Sequence, residues 1–452
     1  MSPSLSIQCN WLTQPMALDS VEKRTWAQVC IRVGGRTVTQ VSDPESETVR
    51  SAIYVPAFAL ADWIARNWWA LLYEPLRYPR VLAARGASSL AEREWTLRHC
   101  ARAADAGLLL PRLFLYNDGR GVVAEWSDDR IGEFPHMPGR FVEPGRIRLD
   151  VEEAQAGLME FMTEVATRLK GYEDERVSVF RNNWNAILSA DAEEHREEHR
   201  FCKATGIMGI DPYELTGVSE TLLQFIESDL ELDDTPSIET DLLEVTRSAE
   251  TVATWEWVSR TREAHGLGGS AIHPSLNQFE ADLPHDLGYQ TAQAIREASG
   301  AQATAPIRDL SEIADRVGKR HFTLVDHNHL PSSRIKGMVG ETREDKTLIV
   351  GPAPERANSR RFLEARALYH ALATCRSGPR LITAAQTWDQ QASRAFAAEF
   401  LAPHSALESR VDEASGTEDS TDLVESLASE FEVSPWLIEH QLFNFGISFL
   451  DR

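Results

Sequence analysis

Apolar and polar positions alternate in two places within the first 149 residues. Val29, Ile31 and Val33 share one side of an extended segment, Gly34-Gly35 supplies a turn, and Arg36–Val41 returns with threonine and valine. Leu113–Tyr116, the turn Asn117-Asp118-Gly119 and Val122–Trp126 repeat the arrangement, so two hairpins are predicted. Between them the period lengthens from two to 3.6: Pro56 opens a helix in which Leu60, Ile64, Trp68 and Leu71 fall on one face. Seven of the 12 tryptophans (Trp11, Trp26, Trp63, Trp68, Trp69, Trp95 and Trp126) lie in this stretch. Residues of that size are expected in a core rather than in a ligand-binding patch.

A proline- and glycine-rich stretch, Phe134–Gly145, reads as a loop closing a first domain over 1–149. Asp150 followed by Glu153 resembles a capping box, and Leu158, Phe161, Met162, Val165 and Leu169 continue at helical spacing. Further helical patterns, one about Leu242–Val258, predict a helical middle domain over 150–285. Its acidic stretch Glu227–Glu239 and the run Gly266–Ser270 are expected to be exposed. Over 286–452 the pattern gives helices near Tyr289–Ala298 and Asp309–Val317, then short strands at Phe322–Val325, Ile335–Val339 and Thr347–Val350. Helices follow from Ser359 onward. Ser434-Pro435 pairs a good N-cap with a first-turn proline and so starts the last helix. The fold class is therefore α+β and multi-domain: a β-rich N-terminal domain, a helical middle, and a mostly helical C-terminal domain with a small sheet.

Composition narrows the setting. At 452 residues, two or three domains are expected, and 42% hydrophobic with 25% charged residues is the balance of a globular chain. No apolar run approaches the ~18 residues of a membrane span, and the N-terminus lacks a basic and then apolar leader. The expectation is a cytoplasmic protein of a prokaryote-like setting, with no membrane partner. Five scattered cysteines (Cys9, Cys30, Cys100, Cys202 and Cys375) form no CxxC pair, so neither a disulfide framework nor a cysteine-rich zinc site is indicated. A net charge of −23 without a dense lysine or arginine run makes nucleic acid a poor partner.

The chemistry is concentrated in the last third. Arg361-Phe362-Leu363-Glu364-Ala365-Arg366-Ala367-Leu368-Tyr369-His370 is followed by Arg394-Ala395-Phe396-Ala397-Ala398-Glu399-Phe400-Leu401-Ala402-Pro403, and then by Leu427–Phe431 and Gln441–Asn444. In order and spacing this set resembles the ImmA/IrrE family of zinc metallopeptidases over roughly 287–450. There the first helix reads like RFTxAHELGH and the second ends like FAAELLMP. The resemblance implies a zincin-like domain in which two histidines four residues apart bind zinc and the glutamate between them activates water. At those positions this chain has Arg366, Ala367 and His370. A guanidinium has no lone pair to donate, and a methyl group accepts no proton. The family's third ligand, a carboxylate, falls within Asp389-Gln390-Gln391-Ala392-Ser393, where glutamines fill the expected place and Asp389 is one residue out of phase. The catalytic set is therefore vestigial.

Other arrangements compete. A rebuilt zinc site would draw on His370, Asp389 and His404. His195-Arg196-Glu197-Glu198-His199 fits an inverted HxxEH, with His195, Glu198 and His199 as candidate ligands and catalytic groups, though it sits in a charge-saturated segment that reads as a solvated helix face. Asp326-His327-Asn328-His329 reads as a loop at a strand end. Walker A, GxSxG and well-placed GxGxxG motifs are missing. The expected function is a non-catalytic peptidase-like protein that binds a protein or peptide. The resemblance implies a regulatory place in a prokaryotic stress, toxin–antitoxin or phage-defence system, and the lost ligand positions give the expectation of no cofactor. An active zinc metallopeptidase with unusual ligands is one alternative, and a DNA-binding transcriptional regulator built on the terminal helices is another. The partner and the oligomeric state are open at this point.

Overall fold

The alternation over Trp26–Val33 becomes the centre of an antiparallel sheet: Ala27, Val29, Ile31 and Val33 are all wholly buried. Leu5–Trp11 pairs along one edge with Ile7 opposite Ile31, Ile53–Pro56 pairs along the other with Ile53 opposite Val29, and Arg36–Thr37 closes the hairpin. The computed structural model describes residues 4–13, 20–43, 47–83, 88–128, 140–228, 230, 238–269, 279, 281–327, 329–373, 378–414 and 420–447. The chain divides into two compact units, Met1–Leu230 and Glu231–Arg452. It is α+β and multi-domain, strand-rich toward the N-terminus and mostly helical toward the C-terminus.

In the first unit the second expected hairpin forms from Leu113–Asn117 and Val122–Trp126. It is extended by Gly145–Leu149 into a three-stranded antiparallel sheet. The Ala57–Tyr73 helix buries both faces, with Leu60, Ile64, Trp68 and Leu71 among its buried residues, so its tryptophans are core. The helices Val151–Arg168, Glu175–Ala190 and Arg196–Met208 all pack against it, and the first also lies on the Leu5–Trp11 strand. These three belong to the same hydrophobic core as the N-terminal strands, whereas the helices Ile238–Val245 and Ser248–His265 belong to the second unit. The units thus divide the chain differently from the three segments read from its sequence. An amphipathic period requires that one face be buried but does not say against what. Asp150 does stand at the N-cap of the first of these helices, yet its side chain makes no capping hydrogen bond.

A buried ion cluster ties this unit together. Glu74, just past the Ala57–Tyr73 helix, accepts from Arg98 Nη2 and Nε, both at 2.8 Å, and lies 2.9 Å from His99 Nε2. His99 Nδ1 faces Leu115 O at 2.6 Å.

The second unit is built on a four-stranded sheet in the order Thr323–Asp326, Thr347–Gly351, Ile335–Glu341, Arg380–Thr383. The first pair is parallel and the other two are antiparallel. Three of these strands match the expected ones. The fourth, only four residues long, has no alternation and was not expected. The Ala357–Ala373 helix packs on the sheet and on the Trp388–Leu401 helix, which in turn carries the Pro284–Ala298 helix. The expected single helix about Leu242–Val258 is two, Ile238–Val245 and Ser248–His265. Ile238 is buried, but residues 229 and 231–237 of the acidic stretch, Ser270, Cys375 and Asn328 lie outside the described residues. Ser434 caps the last helix as expected, accepting from Leu437 N, with proline in the first turn. Among the described residues no helix is long and apolar enough to cross a membrane.

Gly288 sets how closely the Pro284–Ala298 and Trp388–Leu401 helices approach. A Cβ at this position would stand 2.5 Å from Ala392 O and 2.7 Å from Ala395 Cβ. Gly288→Ala is therefore expected to lower stability by about 1–3 kcal/mol through overpacking. The helix propensity of alanine would by itself raise it by about 1 kcal/mol. Urea unfolding distinguishes the two, and an unchanged or higher midpoint would mean that the helices are not in contact here.

Candidate functional site

The residues from Leu363 to Leu372 on the Ala357–Ala373 helix are buried almost without a break, Arg366 and His370 included. Buried polar groups need partners. Arg366, 5% exposed, donates Nε to Ser393 Oγ at 3.1 Å and Nη2 to Thr383 O and Gln390 Oε1, both at 2.8 Å. All three acceptors are neutral. Among the described residues no hydrogen bond uses Nη1. Burial, and after it the positive charge of Arg394, pull the Arg366 pKa well below the ordinary guanidinium value. Ala367 is packed with no exposure.

Gln390 organises the centre. Its Oε1 also accepts from Thr383 N at 2.9 Å, and its Nε2 donates to Leu381 O at 2.7 Å, so one amide holds both Arg366 and the backbone of the edge strand Arg380–Thr383. Burial, then the charges of Arg380 and Arg366, push the His370 pKa well below the usual imidazole value, so the ring is neutral.

Asp389 turns instead to Arg380, whose Nη1 lies 3.2 Å from its Oδ2. Arg380 is forked by Asp241, with Nε 2.7 Å from Oδ2 and Nη2 2.8 Å from Oδ1. Asp241 Oδ2 also accepts from Leu381 N at 3.2 Å. The Ile238–Val245 helix is thereby fastened to the edge strand by a salt bridge. Although burial disfavours the Arg380 charge, Asp241 and Asp389 outweigh it and raise its pKa. Glu244, on the same helix, has its pKa lifted well above the ordinary carboxylate value by burial and by Asp241.

The alternative ligand sets do not assemble. His404 Nδ1 lies 2.8 Å from Glu399 Oε1, its ring stacks on Phe445 with centroids 4.1 Å apart, and Gln441 also donates to Glu399. His404 thus belongs to a cluster different from that of His370 and Asp389. His195 precedes the Arg196–Met208 helix as its N-cap, after a 3₁₀ turn at Glu193–His195, so the helical face expected to carry both His195 and His199 does not form. His195 Nδ1 lies 2.8 Å from Ser189 O and 3.8 Å from the Glu198 carboxylate, with both side chains nearly half exposed. His199 packs edge-on against Trp69, near Asp191 at 3.8 Å. Among the described residues no group of three or more His, Cys, Asp and Glu side chains is placed to hold a metal ion. Near Asp326, the His327 N–H bonds Gly351 O, and its ring meets Trp257 edge-on.

Beside this buried network a cavity of about 570 Å³ opens. Arg366, Phe362 and Leu363 come from the helix that carries the network, Ile335 and Lys336 from the sheet, and Ser434, Trp436 and Leu437 from the last helix and its cap. Trp436 is 67% exposed.

The residues at the resemblance's ligand positions do not fit a zinc ion. A hydrogen-bonded guanidinium stands at the first position and a methyl group at the base position. An amide already engaged by two donors stands where the carboxylate is expected. Sequence reasoning missed Asp241, Glu244 and Arg380. The only signal was that three acids, Glu239, Asp241 and Glu244, fall within the eight residues of the Ile238–Val245 segment. No family model matches this chain, and neither a curated protein nor a solved structure matches it.

Proposed function

We propose that this chain is a non-catalytic peptidase-like protein of the ImmA/IrrE type, and that it holds a protein or peptide in its second unit without cutting it. The observation that carries the reading is Arg366. A buried, hydrogen-bonded guanidinium stands where the family resemblance calls for the first metal-binding imidazole, and an open cavity is kept beside it. Losing the ligands removes the means to activate water but does not fill the cleft. With this reading go a regulatory role in a prokaryotic stress, toxin–antitoxin or phage-defence system and a place in the cytoplasm.

Two measurements on the full chain test it. Elemental analysis of protein purified without chelator is expected to give zinc far below one ion per chain. Incubation with a proteome-derived peptide library is expected to enrich intact peptides, with no new termini seen by mass spectrometry. Stoichiometric zinc together with new peptide termini, both lost in His370→Ala, would sink the reading in favour of an active zinc enzyme.

A further inference from the structure

We propose that the cavity beside Arg366 is a site for the free C-terminal carboxylate of a polypeptide ending in apolar residues. The proposal rests on the reading above, that this unit holds a peptide uncut, and adds which end of the peptide is held and by what.

The charge of the wall is the first reason. The described residues lining the cavity include two cations, Arg366 and Lys336, and no aspartate or glutamate. The chain has 69 acidic against 46 basic residues, so an acid-free wall is not what composition alone would supply. Arg366 forms the inner part and is 95% removed from solvent, with its Nε and Nη2 taken by neutral acceptors. Among the described residues its Nη1 donates to no acceptor, and the residue lines the cavity. A buried guanidinium without an anion is unfavourable, and a ligand carboxylate supplies the missing charge. Lys336 stands at the rim, its Nζ donating to Ser333 O and keeping two further N–H groups.

Two helix N-termini add to this field. Asn358 and Ser359, in the first turn of the Ala357–Ala373 helix, and Ser434, the N-cap of the Pro435–Asn444 helix, all line the cavity. Both helices bring their positive ends to it, and such ends favour anions.

The rest of the wall selects what the carboxylate is attached to. Leu330, Ile335, Phe362, Leu363 and Leu437 make an apolar lining, and Trp436 stands exposed beside them. A volume of about 570 Å³ takes the end of a chain rather than a folded surface. Interspersed among these groups are the side chains of Ser333, Asn358, Ser359 and Ser434. A peptide end has N–H and C=O groups to meet the hydrogen-bonding capacity that these side chains keep, whereas a fatty-acid tail meets it only with methylene groups.

The test uses the full chain and three probes: a fluorescein-labelled peptide ending in three leucines with a free carboxylate, the same peptide as its C-terminal amide, and dodecanoate as competitor. Fluorescence anisotropy is expected to show the acid binding about tenfold or more tighter than the amide. Lys336→Glu should weaken the acid several-fold and leave the amide unchanged, while Trp436→Ala should weaken both. These two side chains are exposed, so their variants keep the test intact even if Arg366→Gln, which should abolish the preference for the acid, fails to fold. Equal binding of acid and amide, or binding of neither, overturns the proposal. So does displacement by dodecanoate at lower concentration than by unlabelled peptide, which would assign the site to a lipid. Equal and uncut binding of acid and amide leaves the non-catalytic reading standing, whereas cleavage of either peptide removes that reading itself.

Discussion

Arg380→Met is expected to cost the protein about 3–5 kcal/mol of stability, among the largest effects of any single substitution in the second unit. The guanidinium is the bridge between Asp241 and Asp389, all three side chains are at most 4% exposed, and Glu244 is packed beside them. Removing it leaves two carboxylates buried without their cation. The penalty is the burial of unpaired charge rather than the worth of the pair itself. Adding Asp241→Asn and Asp389→Asn to the same chain should therefore recover much of the loss, because neutral amides need no counter-ion. Urea unfolding measures both variants. Hydrogen exchange should also quicken in the Ile238–Val245 helix, since Asp241 is its link to the edge strand. An Arg380→Met protein that unfolds at the wild-type midpoint would show that the bridge does not form.

The second large effect is acid sensitivity centred on Glu74. Burial alone would raise its pKa, but His99 and Arg98 outweigh burial and bring it from an ordinary 4.5 down to about 2. In the unfolded chain the carboxyl titrates near 4.5, so between pH 4.5 and 2 the unfolded state binds more protons than the folded one. The stabilisation is fully present above pH 4.5 and is lost as pH falls through about 2. At 1.36 kcal/mol per unit this comes to about 3 kcal/mol. Glu74→Gln is expected to lower stability at neutral pH, because His99 and Arg98 lose their anion, and to flatten the profile below pH 4.5. Urea midpoints taken across pH 2–6 give both slopes, and identical acid profiles for the two proteins would refute the assignment.

Local pattern and tertiary contact made different contributions here. Both N-terminal hairpins, the helix opened by Pro56, three of the four strands of the second sheet and the Ser434-Pro435 helix start were legible because each is written in neighbouring residues. Alternation, 3.6-residue spacing and caps act over a few positions. So was the chemistry that Arg366 and Ala367 preclude, since a guanidinium and a methyl group lack the lone pair and the proton acceptor wherever they sit. The strand Arg380–Thr383 was missed because four residues carry too little pattern, and its arginine reads as surface until the partner is known.

Only the fold could supply that partner. Asp241 lies 139 residues before Arg380, and no periodicity links two positions so far apart. The same holds for the pairing of Asp389 with Arg380: the sequence put Asp389 out of phase with the glutamines but did not say what it meets. It holds also for the assignment of the Val151–Met208 helices to the first unit. Sequence determined which segments form elements and which side chains lack the chemistry of a metal site. Tertiary structure decided which buried charges meet and that a cavity with no acid among its described lining residues opens beside Arg366, because burial and Coulomb contacts depend on distance in space, not along the chain.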